Sequence, residues 1–363
     1  MPNINTFFTT ASLIIIPLLL VFCSKEYDNK ISVEIIHEIK LESEATRQIN
    51  RLYPNMTTSP DQEYLAISNI TQPAHILLVD YDGHLIKRVG SQGRGPDEIE
   101  RATNFGLSKS GTVVVEDKGQ ALIKEFHVQS DSVTSFDTPI KEDIYITSLN
   151  FTQCDDYWII GIDHLADGFQ ATPEDGTPVI GVFDQEFNIV KTAGNYDSFM
   201  KGEQSIQQEP VISVDCNRDL AFTGHGKIPF IQIVDLKEDA VVGRIDSKPP
   251  SFMLSNEFID MIEDISDYEE FLITEQSMTS HITHDEAHII QTFFNETREY
   301  FESRDHRARD HYIAVYDREN LSFLGELQLE GAAMGSTNNG HIIELVDDDP
   351  ENFTIRFLNV KTE

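Results

Sequence analysis

Apolar residues come in short bursts along this chain. Runs of four to seven residues, rich in Val, Ile, Phe and Tyr, recur between clusters of Asp, Asn and Gly. Such runs read as strands separated by turns. The clearest lie at 76–79, 112–115, 158–162, 179–183, 230–234, 312–316 and 341–346. Helical spacing is scarce. The best candidate is 255–273, where Phe258, Ile259, Ile262, Ile265 and Phe271 share one face. The pattern predicts an all-β protein with one helical or loop insertion.

Several runs are paired in a repeating form: apolar strand, Asp, polar turn, second strand. Residues 76–89 read ILLVDYDGHLIKRV, 179–190 VIGVFDQEFNIV, 230–242 FIQIVDLKEDAVV and 313–324 IAVYDRENLSFL. In each, an aspartate (Asp80, Asp184, Asp235 or Asp317) ends the first strand, where its side chain is placed to cap the turn. Degraded copies fall at 124–133 and 354–360. Six hairpins spaced at roughly 40–60 residues are the rhythm of propeller blades. A blade is stable only beside its neighbours, so the ring must close. The stretch 31–41, with Val33, Ile35 and Ile39 on one face, is expected to add a strand to the last blade. The long interval 251–309 holds the helix candidate and a charged segment, 298–310, and reads as insertions on one face of the ring. No linker interrupts 31–363, which reads as one six-bladed β-propeller.

The N-terminus reads as an address. Residues 13–22, LIIIPLLLVF, are too few for a transmembrane helix, which needs about 20 apolar residues, and they include Pro17. A signal peptide over 1–22 fits better. Leu20-Val21-Phe22-Cys23 resembles a bacterial lipobox, although Phe22 stands where a small residue is usual and no Lys or Arg precedes the run. The resemblance implies a lipid on the Cys23 sulfur and a tether over 23–30. It also implies anchoring to the bacterial outer membrane, periplasmic or surface-exposed, with membrane contact only through that lipid.

Residues 89–98, VGSQGRGPDE, follow the hairpin VDYDGHLIKR. Together they resemble the "DxxGxhhxxhGxxGxGPGE" motif of bacterial six-bladed β-propeller lipoproteins, related to NHL-repeat and TolB-like propellers. Asp97 replaces the last glycine of that motif, and Ile99 stands where an aromatic residue follows it. Gly90, Gly93 and Gly95 permit positive φ where the chain crosses between blades, and Pro96 fixes φ at the turn. Arg94 is expected to pair with Asp97, Glu98 or a backbone carbonyl. A structural corner is the reading; no Lys-Ser/Thr pair and no helix follow, as a phosphate loop would require.

Charge narrows the functions. Lys and Arg number 27 against 62 Asp and Glu, a formal net charge of −35. That excess repels nucleic acid and argues against polybasic attachment to lipid. It leaves either a solvated acidic surface or a face that collects cations or a basic partner. With Cys23 assigned to lipid, Cys154 and Cys216 are expected as buried free thiols in neighbouring blades, pairing in an oxidising compartment being the alternative.

No catalytic pattern stands out. His281, His284 and His288 lack the His-Glu-x-x-His order of a zinc site, and in one extended strand His284 and His288 would sit about 13 Å apart. His306 and His311 read as polar decoration, Asp347-Asp348-Asp349 as a solvated turn rather than a calcium loop, and 331–336 (GAAMGS) as a blade corner. Gly-x-Ser-x-Gly is absent. Trp158 beside Tyr157 reads as core packing. The expected function is binding of a protein, peptide or glycan by a monomer without a cofactor. The alternative, a calcium-dependent lactonase or lyase, is implied by resemblance to propellers with acidic ligands around a central channel. A channel lined by carboxylates or imidazoles would favour the enzyme; apolar or mixed polar lining would favour binding. A third reading, a structural subunit, would need a large exposed apolar patch on 251–309.

Overall fold

Neighbouring residues within one buried strand serve different cores. In His75–Val79 every side chain is buried. Ile76 and Leu78 pack with Phe105, Val113 and Val115, while Leu77 and Val79 pack with Met56, Ile343 and Phe357 on the other side. A strand covered on both faces has no polar side, so its sequence is a continuous apolar run. The computed structural model describes residues 31–49, 54–60, 62–69, 75–108, 111–138, 144–146, 151–166, 169–170, 177–200, 210–255, 265–349 and 351–362. Residues 1–22 and Cys23 lie outside them.

The described strands form five hydrogen-bonded sheets. Residues 102–137, 210–245 and 277–328 each fold into a four-stranded antiparallel meander. In 144–193 the long strand Tyr157–Ala166 is the hub, pairing with Ile144–Ile146, Thr152–Cys154 and Ile180–Phe183. The largest sheet has eight strands and divides into a meander over 54–89 and a unit over 332–362 completed by Ile31–Lys40. Its halves meet through a parallel pair, Met56 with Gly335 and Thr57 with Ser336.

Apolar clusters tie these units in succession. Val114 and Ile123 share a core with Trp158 and Phe183, Ile159 and Val179 with Ala221 and Val234, Phe222 and Ile231 with Ile289 and Phe293, and Ile290 and Ile313 with Ile342 and Leu358. The cluster joining Leu77 to Ile343 returns the series to its start. The fold is all-β and propeller-like.

The turn aspartates behave as their sequence suggests. Asp80 Oδ1 accepts the amides of Asp82 at 3.0 Å and His84 at 2.9 Å, and Asp184, Asp235 and Asp317 cap their turns in the same way. Trp158 is buried and stacks on Phe187.

Five expectations change. Ile31–Lys40 does pair with Thr354–Thr362, but a bulge between Ile35 and His37 shifts the pleat, so Ile39 is buried while Ile35 and Ile36 are exposed. Residues 354–360 are therefore one strand of a larger sheet, not a hairpin copy. The interval 251–309 is not mainly insertion: Ser277–His284 and His288–Asn295 are the first two strands of the 277–328 meander. Only the helices Ile265–Thr274 and Arg298–Ser303 and the short turn His306–Ala308 interrupt the strands; 256–264 lie outside the described residues.

Residues 331–336 supply the strand Ala332–Ser336 and not a corner. Their small side chains admit the parallel partner: a Cβ on Gly335 would lie 2.0 Å from the Met56 carbonyl oxygen. Cys154 and Cys216 are not free thiols. Cys154 ends the strand Thr152–Cys154 and Cys216 directly follows Pro210–Asp215 of the adjacent unit, and they form a disulfide with Cα atoms 5.3 Å apart.

Candidate functional site

In four of the units a strand bordering the cavity is odd in composition. PNMTT, TQC, SMTSHITH and AAMGS are made largely of small or polar residues, unlike the apolar strands that follow them. They converge. One cavity draws on Thr57 and Thr58, Leu107, Phe151 and Thr152, Ile212 and Ser213, Ile282, and Ser336 with Thr337 and Asn338. Blades arranged round a central channel bring such strands together. Together with the open solvent at its mouth the cavity spans about 410 Å³. Of its lining residues, Asn338 is exposed, in the turn between the first two strands of the 332–362 unit.

Its lining is neutral. Hydroxyl and amide groups alternate with Leu107, Phe151, Ile212 and Ile282, and no carboxylate, imidazole or thiol is among the described lining residues. Behind the wall, the Ser213 hydroxyl is hydrogen-bonded to His284 Nδ1 at 2.8 Å, and the His284 ring packs against Phe222. Burial pushes the His284 imidazole down to about 4. Arg318 reaches across from the 277–328 unit to pair with Asp215, and also donates to the Asp285 carbonyl at 2.6 Å. Burial works to raise the Asp215 carboxyl, but its hydrogen bond and ion pair with Arg318 hold it below the usual range.

His284 and His288 do not share a strand: they flank a turn capped by Asp285, whose Oδ2 meets His288 Nδ1 at 2.9 Å. They are parts of a hairpin, with no shared metal geometry. His311 is no surface decoration either. Its Nε2 donates to the His306 carbonyl at 2.9 Å, its Nδ1 accepts from Ala333, and burial drives it down to about 3. His306 is buried too. Asp347-Asp348-Asp349 forms a turn in which Asp347 accepts the Asp349 amide, with Arg307 paired to Asp348.

A buried neutral histidine makes stability depend on pH with a definite sign. An unfolded His284 titrates near 6.5 and the folded one near 4, so the unfolded chain binds more protons between those values. The contribution is complete above pH 6.5 and is lost as pH falls towards 4, on the order of 3 kcal/mol for one group. Urea midpoints of the wild type and His284→Gln, compared from pH 7 to 4, should converge as pH falls. Parallel curves would refute the assignment.

The glycine-rich motif sits at the opposite end of the fold, between the last strand of one unit and the first of the next. Gly90 has φ +73, and a Cβ there would strike the buried Ile99 at 2.3 Å. A Cβ on Gly93 would lie 2.1 Å from the Glu98 carboxylate. Gly95 needs no positive φ; its amide donates to Glu98 Oε2 at 2.6 Å. Pro96 is in the exposed turn between them. Arg94 pairs with Glu100 at 3.1 Å, not with Asp97 or Glu98. Lys124, fully buried, donates to the Gly95 and Glu98 carbonyls and lies 3.4 Å from Asp117, which accepts the amides of Glu100 and Arg101. These residues are brought together as a corner, remote from the axial cavity. The cavity residues escaped sequence reasoning; the available signal was the Thr and Ser content of segments such as 57–58 and 277–283, ahead of apolar strands.

No family model matches the chain, and no curated protein matches it in sequence. Solved structures do match in shape. A member of the DUF4221 family from Bacteroides vulgatus is 12% identical with a TM-score of 0.62, over 93% of this chain and 100% of that one. A protein from Bacteroides fragilis described as exported is 12% identical with a TM-score of 0.55, over 94% and 98%. At such identity the likeness shows the fold.

Proposed function

We propose that this chain is a six-bladed β-propeller, exported and anchored at the bacterial cell envelope through a lipid on Cys23. In this reading it acts as a binding module for a protein, peptide or glycan at the axial cavity. The six apolar clusters shared between successive units support six blades. The Cys154–Cys216 disulfide suits an oxidising compartment outside the cytoplasm. The observation that carries the binding reading is the lining: hydroxyls, one amide and apolar side chains orient a ligand without supplying an acid, base or nucleophile pair. A calcium-dependent lactonase or lyase would need convergent carboxylates, and the described lining offers none.

The test is an array of peptides and oligosaccharides probed with the full chain and with a Thr57→Val/Ser213→Ala variant. Both changes remove a hydroxyl with little change of shape. Signals lost in the variant support the axial site; signals that survive it, or products released from the array, count against it. Mass measurement of the mature N-terminus checks the anchor: an unmodified Cys23 there, or its removal, would sink that part.

A further inference from the structure

The sequence holds one Asn-Gly pair, Asn339-Gly340, and the fold places it beside the axial cavity. It lies in the turn from Ala332–Ser336 to Ile342–Asp347, directly after Ser336, Thr337 and Asn338, which line the cavity. Asn338 and Asn339 are exposed, whereas Gly340 is buried. The turn is stitched to itself and to the neighbouring unit. Thr337 donates its amide to the His341 carbonyl at 2.9 Å, and its hydroxyl accepts the His341 amide at 3.1 Å. Its carbonyl accepts the Thr283 hydroxyl at 2.7 Å. Gly340 has φ +88, and a Cβ there would lie 2.9 Å from Asp285 Cβ and 3.0 Å from the His284 carbonyl oxygen.

We propose that Asn339 is a site of spontaneous deamidation, and that the isoaspartate formed there alters the cavity wall. First the Gly340 backbone nitrogen attacks Asn339 Cγ. An N–Cγ bond forms, the Cγ–Nδ2 bond breaks, and the Gly340 amide proton passes through solvent to the departing ammonia. The product is a five-membered succinimide. Water then adds to one of its two carbonyls. Opening at Cγ leaves aspartate; opening at the main-chain carbonyl leaves isoaspartate, whose backbone is one carbon longer. Nothing is oxidised or reduced, and solvent water is the only co-reactant.

Three features of the turn favour the attack. The nitrogen is held next to Cγ by the chain itself, and Gly340 has no side chain to crowd it. Its N–H is weakly held, donating to the Thr337 carbonyl at 3.4 Å, beyond the usual range. The Thr337 hydroxyl donates to Asn339 Oδ1, the oxygen on which negative charge develops during the attack, so the turn carries its own oxyanion donor. Asn217, Asn320 and Asn352 are exposed as well, but Arg218, Leu321 and Phe353 follow them, with side chains beside the nitrogen. An added backbone carbon has little room. Gly340 is packed against the His284–Asp285 turn, so the extra length displaces Thr337 and Asn338 at the cavity. The new carboxylate also sets a negative charge beside a neutral lining. The site does not depend on what the cavity binds.

The experiment ages the full chain in neutral and in mildly alkaline buffer and follows it by peptide mass mapping. The peptide containing Asn339 should gain about 1 Da and become a substrate for an isoaspartyl methyltransferase. The gain should be at least about ten-fold faster than at Asn217, Asn320 and Asn352, where a side chain crowds the nitrogen. It should also be faster at the higher pH, because the attacking nitrogen must lose its proton. Thr337→Val should slow it at least about three-fold, while Thr337→Ser, which keeps the hydroxyl, should not. Amide hydrogen exchange at 283–285 and 336–342 should quicken in the aged wild type and stay slow in aged Asn339→Gln. A gain at Asn339 no faster than at the three other asparagines would overturn the proposal. A gain with unchanged exchange would overturn its effect on the wall, and equal rates in the Val and Ser variants would overturn the role of the hydroxyl.

Discussion

Reduction of the Cys154–Cys216 bond is expected to lower the unfolding free energy by about 4 kcal/mol. The bond closes a loop with a sequence separation of 62 residues, and a crosslink of that span removes much conformational freedom from the unfolded chain. The native side adds a local reason. Among the described residues, Cys154 ends a three-residue strand paired with Tyr157–Ala166 alone, so the disulfide adds a covalent tie to the neighbouring sheet. Cys216 directly follows Asp215, which is paired to Arg318 of the sheet beyond. One turn is thus bonded covalently to the unit before it and ionically to the unit after it. Melting with and without a phosphine reductant should show a fall in Tm on the order of 10 °C. The Cys154→Ser/Cys216→Ser variant should melt like the reduced protein and ignore the reductant. A change of less than about 2 °C would show that the packed sheets alone hold this joint.

Why the disulfide was missed in the sequence, while the hairpins were plain, is a matter of range. An aspartate capping its own turn is a local interaction, complete within four residues, so Asp80, Asp184, Asp235 and Asp317 announced their hairpins. Strands buried on both faces were equally legible, because burial on two sides leaves no room for polar positions. The first strands were not. Ser277–His284 contains Ser, Thr and His at six of its eight positions, and only its long-range pairing with His288–Asn295 and its packing against neighbouring units make such a segment a strand. The glycine motif shows both ranges at once. Its turn geometry was readable in Gly90 and Pro96, but its clamp is Lys124 with Asp117, residues drawn from another hairpin. The placing of Ile35 with Ile39 fell to a single bulge, which no alternation rule foresees.

Closure of the fold depends on the same kind of long-range contact, and the most severe effect of a single methyl group is expected there. Gly335→Ala should destabilise the protein by about 3–5 kcal/mol. Its new Cβ would meet the Met56 carbonyl oxygen at 2.0 Å and the Met56 carbonyl carbon at 2.9 Å. Both are backbone atoms of the strand Pro54–Thr58, so no side chain can swing aside. That strand must move, yet it is fixed on its other edge by pairing from Asn69 to Leu65. Moving it breaks the parallel pair that joins the last unit to the first. The outer closure through Ile31–Lys40 would remain, so the variant is expected to keep its strand content while losing cooperativity: a broad urea transition with a lower midpoint. Gly325→Ala is the control. Its Cβ would come no closer than 3.3 Å, to the flexible side chain of Ile31, and should cost less than about 1 kcal/mol. Equal midpoints for the two variants would mean that the inner seam does not hold the ring shut. The cavity would then be bounded by a joint that can open, because Thr57 and Ser336, which line it, are partners across that seam.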